Sequence, residues 1–326
     1  MRKIRPFVLA FIGFLSAQTA LAKSQKLEPI PSGRDSDLRV FFSNGKNISG
    51  IPALERMQKG VDFSLWIAGN QFFAMPEVLG RFQKEHPEIK SIGLITLPPG
   101  KIARAILEGG WSYKGRKFLL RPDLYTTVDI AHLKSLKKAG LVSRYFTYLH
   151  NQLALMVAKG NPKQIHGISD LGRPHLRIFL PNPVTEGIMS VYGEEVLKRH
   201  HLWKKLTQGK NCAGCWGAPN VYFTRVHHRE IPKAINAGRA DVGLVWATEN
   251  VHAVKKGYAV QGISLSVRDS LKNKVNYIAS ILKNGAHRKN AQIYASYLKT
   301  KKAQTAYADY GFAEASAADF RMRPIP

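Results

Sequence analysis

The sequence lacks the short motifs that mark common catalytic sites. It contains no G-x-S-x-G, no H-E-x-x-H and no glycine-rich phosphate loop followed by Lys-Ser or Lys-Thr, the signatures of serine hydrolases, zinc proteases and nucleotide-binding loops. Ser190 and the histidines do not have the spacing of a catalytic triad. The sequence therefore predicts a protein that is not an enzyme and that carries no cofactor.

Long hydrophobic runs are also scarce, and the one that exists lies at the N-terminus. Positive residues in "MRKIR" precede the apolar stretch "PFVLAFIGFLSAQTALA", which ends in the small residues Ala20-Leu21-Ala22. This order predicts a secretory signal peptide over 1–22, cleaved after Ala22. An uncleaved membrane anchor is the alternative, although the stretch is short for a span. We expect a soluble periplasmic protein, because no second stretch reaches spanning length.

Acidic residues are few. The 326 residues include 49 lysines and arginines against 22 aspartates and glutamates, for a formal net charge of +27. Such a field can concentrate small anions, hold a protein to an anionic membrane face or bind nucleic acid. The basic residues are scattered over predicted helix surfaces, which argues against nucleic acid as a partner. A basic surface without any binding role remains an alternative.

Three segments in the N-terminal half repeat one pattern, in which an apolar strand is followed by a short turn and an amphipathic helix. The turns contain Gly69-Asn70, Pro98-Pro99-Gly100 and Thr126-Thr127, and Asp129 is a candidate N-cap for the third helix. This alternation is typical of a parallel sheet covered by helices. Ligands of such sheets bind beyond the carboxyl ends of the strands, where these turns gather.

A second run of the same kind begins at "NQLALMVAKGNP". Its predicted strands lie in "LRIFL", "NVYFTRV" and "ADVGLVWA", and its predicted helices cover 185–199, 229–237 and 251–256. Thr185 is placed as the N-cap of the first helix, where unpaired N–H groups and the helix dipole favour an anion. Two α/β lobes whose turns face one another predict a cleft between them.

The stretch from Leu153 to Phe312 resembles the molybdate-type substrate-binding proteins of ABC importers, within the type II periplasmic binding proteins. The resemblance rests on "LALMVAKGNP", "GISDLGRPHLRIFLPNPVTEG", "IPKAINAGRADVGLVWATE" and the ending "AQTAYADYGF". It implies an α/β fold of two lobes, each a mainly parallel sheet covered by helices, joined by two hinge crossings. The implied division is a polar lead over 23–37, lobe 1 over 38–151 plus 265–326, and lobe 2 over 152–264.

The resemblance also implies a function. Such proteins capture a small anion, here foremost a molybdate-like oxyanion, and deliver it to an ABC permease in the inner membrane. Hydroxyl and backbone N–H groups in the strand-to-helix turns hold the anion without a countercharge. Carried over to this sequence, the ligand-binding residues are Asn70, Gln71, Gly100, Lys101, Thr127, Asn182, Thr185 and His228. We expect a monomer.

The first two turns depart from the family pattern, in which molybdate binders usually have serines. Here the turns contain Asn70-Gln71 and Pro99-Gly100-Lys101. Proline has no N–H to donate, whereas Lys101 brings a full charge. A phosphate-like or carboxylate anion would fit a lysine equally well.

The two cysteines are open to two interpretations. Cys212 and Cys215 have C-x-x-C spacing and precede His227 and His228. In an exported protein, two cysteines this close predict a local disulfide. The alternative is a periplasmic transition-metal or redox site on the same scaffold, formed by both cysteines and the histidines. Covalent haem attachment is disfavoured, because no histidine follows Cys215 directly.

Overall fold

The computed structural model describes residues 34–272 and 274–326. The predicted signal peptide over 1–22, with its cleavage site, lies outside the described residues. The same holds for 23–33, the larger part of the predicted polar lead. No helix in the described ranges is both long and apolar enough to cross a bilayer.

Sixteen strands occur in the described residues. They are β1 (Leu38–Phe42), β2 (Asn47–Ser49), β3 (Phe63–Ala68), β4 (Ser91–Leu97), β5 (Trp111–Tyr113), β6 (Arg116–Phe118), β7 (Leu124–Thr127), β8 (Arg144–His150), β9 (Leu153–Ala158), β10 (Ile178–Leu180), β11 (Val221–Phe223), β12 (Val242–Trp246), β13 (Val260–Ser264), β14 (Asn276–Ile281), β15 (Ala313–Glu314) and β16 (Arg323–Pro324).

Eleven α-helices accompany these strands in the same part of the chain. They are α1 (Ile51–Lys59), α2 (Met75–Glu85), α3 (Pro99–Leu107), α4 (Ile130–Lys138), α5 (Glu194–Arg199), α6 (Trp203–Thr207), α7 (Glu230–Asn236), α8 (Ala247–Lys255), α9 (Val267–Ser270), α10 (Arg288–Tyr297) and α11 (Lys301–Ala308). Shorter turns of 3-10 helix cover Asp35–Asp37, Gly69–Gln71 and Ile168–Gly172, and a π-helical turn covers Ile188–Gly193.

The strands form two large sheets and one hairpin. The first sheet has the order β15-β8-β14-β7-β3-β4-β1-β2, with β16 also paired to β8. In it β3 runs parallel to β4 and β7, whereas β1, β8 and β14 pair antiparallel with their neighbours. The second sheet has the order β11-β10-β12-β9-β13, in which β10 is parallel to β11 and β12 while β9 is antiparallel to β12 and β13.

The sheets are therefore mixed, and the expectation of mainly parallel sheets holds only for three neighbouring strands of each, β7-β3-β4 in the first and β11-β10-β12 in the second. The strands on either side of the two crossings, β8 and β9 at the first and β13 and β14 at the second, all pair antiparallel with their neighbours. The chain leaves the first sheet between His150 and Leu153 and returns to it between Ser264 and Asn276. We use first lobe and second lobe for the elements around each sheet. The lobe bounds at 151 and 265 stay a prediction, because the residues between those strands belong to neither sheet.

The burial of the central strands explains the layered arrangement. Every residue of β3, β4 and β7 is buried, and so is every residue of β10, β11 and β12. Strands that are apolar on both faces need helices on both sides of the sheet. The helices of each lobe supply that cover, and the turns that follow the strands are left at the edge between the lobes.

Candidate functional site

One small cavity lies where the carboxyl ends of six parallel strands meet. Three turns come from the first lobe, after β3, β4 and β7, and three come from the second lobe, after β10, β11 and β12. The cavity is lined by Ala68, Gly69, Asn70, Pro98, Pro99, Val128, Glu186, Gly187, Ile188, His227, His228 and Trp246. The centre of a water-sized solute can move through about 20 Å³ of it, which is more than the roughly 10–15 Å³ that one water molecule needs. Both lobes therefore wall a site that suits only a small solute.

A buried histidine between two carboxylates forms the wall on the second-lobe side. His228 donates from Nδ1 to Glu186 and from Nε2 to Glu249 Oε1, the latter at 3.2 Å. Burial alone would lower the pKa of His228, but the carboxylates of Glu249 and Glu186 raise it to about 10. The imidazole is therefore a cation at neutral pH, with both N–H groups used inside the second lobe.

Glu186 lines the cavity and was not among the predicted site residues. Its Oε1 accepts from Thr224 Oγ1 at 2.7 Å and from Asn182 Nδ2 at 3.2 Å, and its Oε2 accepts from the backbone N–H of His228 at 2.8 Å. Burial opposes its ionisation, but the neighbouring His228 holds the pKa of Glu186 below its usual value. Because both oxygens are occupied, this carboxylate acts as a fixed support of the turn.

Asn182 and Thr185, two predicted ligand residues, hold that same turn together and do not line the cavity. Asn182 Oδ1 accepts from the Thr185 N–H at 2.9 Å and from the Thr185 hydroxyl at 3.1 Å. The prediction that Thr185 caps a helix over 185–199 is wrong, because Asn182 takes its hydroxyl and the helical turns begin only at Ile188.

On the first-lobe side, Asn70 lines the cavity while Gln71 turns away from it. Asn70 Nδ2 donates to the Tyr277 hydroxyl, which fixes the amide at the cavity wall. Gln71 is fully buried, accepting from the Tyr148 hydroxyl at 2.8 Å and donating to Thr126 Oγ1 at 3.3 Å. Two neighbouring amides thus have different surroundings.

Thr127 also uses its hydroxyl locally. Its Oγ1 lies 2.9 Å from His132 Nδ1 and accepts from the Asp129 N–H at 3.1 Å. Asp129 accepts from the Ala131 N–H at 2.8 Å, so its prediction as the N-cap of α4 is confirmed. The residue of this turn that lines the cavity is Val128.

Gly100 and Lys101 begin α3 beside the cavity. A Cβ on Gly100 would lie 3.7 Å from the Thr185 carbonyl, so this glycine approaches the second lobe closely. Lys101 is partly exposed and does not line the cavity. Burial lowers the pKa of Lys101, and the cations Arg104 and Arg225 lower it further against the attraction of Glu186.

An arginine of the second lobe reaches into the first lobe next to the cavity. Arg229 donates to Asp37 Oδ1 at 2.6 Å and to the Thr96 carbonyl at 3.0 Å. Its guanidinium carbon lies 3.9 Å from the centroid of the Phe72 ring. Burial opposes ionisation of Asp37, but Arg229 and His227 hold its pKa well below its usual range. The motif "HHRE" after β11 marks the position of Arg229, but no sequence signal pointed to Asp37.

The two cysteines lie apart from the cavity lining. Cys212 and Cys215 bring their sulfurs together with Cα atoms 6.2 Å apart, within the usual range for a disulfide. His227 and His228 instead belong to the cavity wall. Over residues 34–272 and 274–326, no group of three or more histidine, cysteine, aspartate or glutamate side chains is placed to hold a metal ion.

Two α/β lobes joined by two crossings, with one cavity between their strand ends, define the architecture of a periplasmic binding protein of type II. The chain belongs to the family of bacterial extracellular solute-binding proteins, whose sequence profile matches residues 63–313. Both the predicted family and the predicted fold class are thereby confirmed.

Curated relatives share short to moderate stretches with this chain. A sulfate-binding protein of Synechococcus elongatus is 24% identical over 240 residues, which cover 65% of this chain and 60% of that protein. The molybdate-binding protein ModA of Mycobacterium tuberculosis is 36% identical over 135 residues, covering 41% of this chain and 45% of ModA. The matched region thus spans less than two thirds of each of these two relatives.

Solved structures support the fold. The periplasmic molybdate-binding protein of Azotobacter vinelandii superposes with a TM-score of 0.60 at 19% identity, over 78% of this chain and 100% of that one. The sulfate-binding protein SubI of Mycobacterium tuberculosis gives 0.57 at 17% identity, over 79% and 88%. At these identities the likeness concerns the fold alone.

Proposed function

We propose that this protein captures a small oxyanion of the molybdate type in the cavity between its lobes and hands it to an ABC permease in the inner membrane. The observation that carries the proposal is the convergence of six strand ends, three from each lobe, on one cavity of about 20 Å³. Such a cavity has room for a compact inorganic ion but not for a sugar, a peptide or a nucleotide. The proposal includes export by a signal peptide ending at Ala22 and action as a monomer.

Helix starts supply the donors that an oxyanion needs. The first turn of α3 begins at Pro99, the 3-10 turn Gly69–Gln71 follows β3, and the helical turns of the second lobe begin at Ile188. The first N–H groups of a helix have no partner within it and point along its axis. Pro99 has no N–H, so Gly100 is the first donor of its turn.

The charged groups around the cavity compensate one another. Glu186 and Glu249 flank the His228 cation, and Asp37 pairs with Arg229. An anion in the cavity would therefore be held by dipoles and hydrogen bonds, with Lys101 in the first turn of α3 as a cation outside the lining.

The metal or redox alternative has less support. It requires the two cysteines to act together with His227 or His228, but the histidines line the cavity and the cysteines do not. The Nδ1 and Nε2 atoms of His228 already bond to glutamates. A local disulfide at Cys212 and Cys215 is the proposal that we retain for this pair.

Calorimetry tests the ligand directly. Purified protein is titrated with molybdate, tungstate, sulfate, phosphate, acetate and succinate. We expect saturable one-to-one binding of one or two of the inorganic oxyanions and no binding of succinate, which is too large for the cavity. Tight binding of succinate, or no heat with any oxyanion, would overturn the oxyanion proposal and leave the family assignment intact.

A further inference from the structure

A second and larger cavity opens beside the first, and we call it the basic groove. Its volume is about 200 Å³, and both lobes contribute to its walls. Arg34 and Phe72 come from the first lobe, and Lys233, Lys256 and Tyr258 come from the second. The Glu249 side chain, which contacts His228, separates the basic groove from the small cavity.

Three cations of the basic groove form no ion pair within the described part of the chain. Arg34, Lys233 and Lys256 make no salt bridge to residues 34–272 or 274–326. Glu249, the carboxylate in the wall, is already used by His228 and by the Trp246 N–H at 3.1 Å. Three cations therefore line the groove, and Glu249, which already has two hydrogen-bond partners, is the acidic side chain in its wall.

A buried donor in the same wall also lacks a partner. Arg229 is 9% exposed and lines the basic groove, yet its Nε has no hydrogen-bond partner among the described residues. Its two terminal nitrogens are used by Asp37 and the Thr96 carbonyl. That Nε is itself shielded from solvent, so Arg229 contributes its charge to the wall of the groove and does not offer its Nε to a ligand there.

Aromatic rings give the basic groove an apolar surface as well. On the first-lobe side, Phe72 lies under the Arg229 guanidinium. On the second-lobe side, Tyr258 lines the groove. His252 stacks on Phe73 with ring centroids 4.5 Å apart. Burial, together with Lys256 and Arg229, lowers the pKa of His252 to about 4, so this ring is neutral and adds no charge.

We propose that the basic groove is a second binding site, for a phosphate monoester of a small aromatic or apolar group. The phosphate would lie between Arg34, Lys233 and Lys256, and the organic group would lie against Phe72 and Tyr258. A dianionic phosphate presents three oxygens to three donors, which suits charge-assisted hydrogen bonding. Such an ester is too large for the small cavity, so the inference does not depend on the proposed oxyanion function.

Phenyl phosphate is the probe for this site. Its affinity for the purified protein is measured by calorimetry, alone and with a saturating amount of any oxyanion that binds. Inorganic phosphate is titrated in parallel. We expect one-to-one binding of phenyl phosphate, tighter than that of inorganic phosphate because the ring adds apolar contact. The oxyanion should not compete with it.

Two lysine variants distinguish binding in the groove from nonspecific attraction of anions to the basic surface. Lys233→Met should weaken phenyl phosphate binding about tenfold or more, also at high salt, since it removes a hydrogen bond to a charged group. Lys138→Met, an exposed lysine at the end of α4, should have a small effect that salt abolishes. Equal and salt-sensitive losses in both variants, or no binding of phenyl phosphate, would overturn the groove proposal.

Failure of the two proposals can be told apart. If phenyl phosphate binds and is sensitive to Lys233→Met while no inorganic oxyanion binds, the groove stands and the proposed function falls. If oxyanions bind while phenyl phosphate does not, the reverse holds. Competition between phenyl phosphate and an oxyanion, with no effect of Lys233→Met, would place both in one site and overturn the groove.

Discussion

Arg229 and Asp37 form a buried ion pair across the two lobes, with 2.6 Å between Arg229 Nη1 and Asp37 Oδ1. The two residues lie 192 positions apart, one directly after β11 and its turn, the other directly before β1. Because the pair joins the two lobes, we expect it to break when they separate. It therefore links the cavity wall at His227 and His228, the residues just before Arg229, to the state of the cleft.

Asp37→Asn should weaken solute binding by favouring the open state. Removing one partner of a buried pair costs about 3–5 kcal/mol when the other stays buried. In the open state Arg229 would return to water, so the substitution should destabilise the closed state relative to the open state. We expect at least a tenfold weaker affinity for whichever oxyanion binds. Calorimetry measures the affinity, and small-angle scattering with saturating anion measures the closed fraction. The double variant Asp37→Asn with Arg229→Met should recover part of the loss, and unchanged affinity in Asp37→Asn would refute the role of the pair.

Gly187→Ala should also oppose closure, for a steric reason. Gly187 has ordinary right-handed helical dihedrals, so alanine fits its backbone. A Cβ there would lie 2.9 Å from Val128 Cγ2 in the facing lobe. Overpacking of this kind costs about 1–3 kcal/mol, which predicts roughly five- to hundredfold weaker oxyanion binding. Val128→Ala added to Gly187→Ala should restore most of the affinity, whereas an equal loss in the single and double variants would show that the contact is not the cause.

Neighbouring histidines should give the protein opposite pH dependences. The pKa of His228 is raised to about 10, against about 6.5 for an unfolded histidine. Its contribution to stability is therefore complete below pH 6.5 and is lost as pH rises toward 10. Burial and Arg229 lower the pKa of His227 to about 4, so its contribution is present above pH 6.5 and is lost as pH falls toward 4.

Urea unfolding of His228→Gln and His227→Gln from pH 4 to pH 10 measures this difference. Relative to the unsubstituted protein, His228→Gln should show a flatter loss of unfolding free energy above pH 6.5. His227→Gln should show a flatter loss below pH 6.5. Each variant serves as the control of the other, and identical pH profiles would contradict both assignments.

Lys101→Met should weaken oxyanion binding about tenfold in a way that salt does not remove. Lys101 is a partly buried cation in the first turn of α3, and Pro99, the first residue of that helix, lines the cavity. A cation in that position is screened less than one on the surface, and losing a hydrogen bond to a charged group costs about 1.5–3 kcal/mol. Titrations of Lys101→Met and Lys138→Met at two salt concentrations measure the effect. Equal, salt-sensitive losses would mean that the basic surface attracts anions generally.

Cys212→Ser with Cys215→Ser should lower stability without changing the ligand affinity. A disulfide that closes so short a loop contributes about 2 kcal/mol in the chain-entropy treatment. The cysteines do not line the cavity, so calorimetry should give the same affinity. Thiol titration of the native protein without reductant should find none. Two reactive thiols, or zinc or copper retained by the native protein and lost in the variant, would favour the metal alternative.

The sequence predicts the strand-turn-helix units well, because their periodicity is local. The hydrophobic pattern alone predicts the turns after β3, β4 and β7, and all three adjoin the cavity. The prediction of a helix start from residue type fails where the capping hydroxyl has another hydrogen-bond partner. Thr185 has the residue type of an N-cap, but the Asn182 carbonyl oxygen takes its hydroxyl, and the helical turns begin at Ile188.

Side-chain direction at the site could not be predicted in the same way. Asn70 lines the cavity and the adjacent Gln71 bonds to Tyr148 in the interior, although both occupy one turn. The contact of Arg229 with Asp37 joins residues distant in sequence. Which residues meet across the cleft depends on how the two lobes are placed, and no local sequence pattern encodes that placement.

Both lobes wall the cavity, and the Arg229–Asp37 ion pair joins the lobes, so access to the cavity depends on lobe opening. We therefore expect a solute to enter when the lobes separate, and at high solute concentration the capture rate should level off at the frequency of opening. Arrival by diffusion then has little influence on which solute is retained. Selection depends on how long each solute keeps the lobes closed, and therefore on dissociation rates.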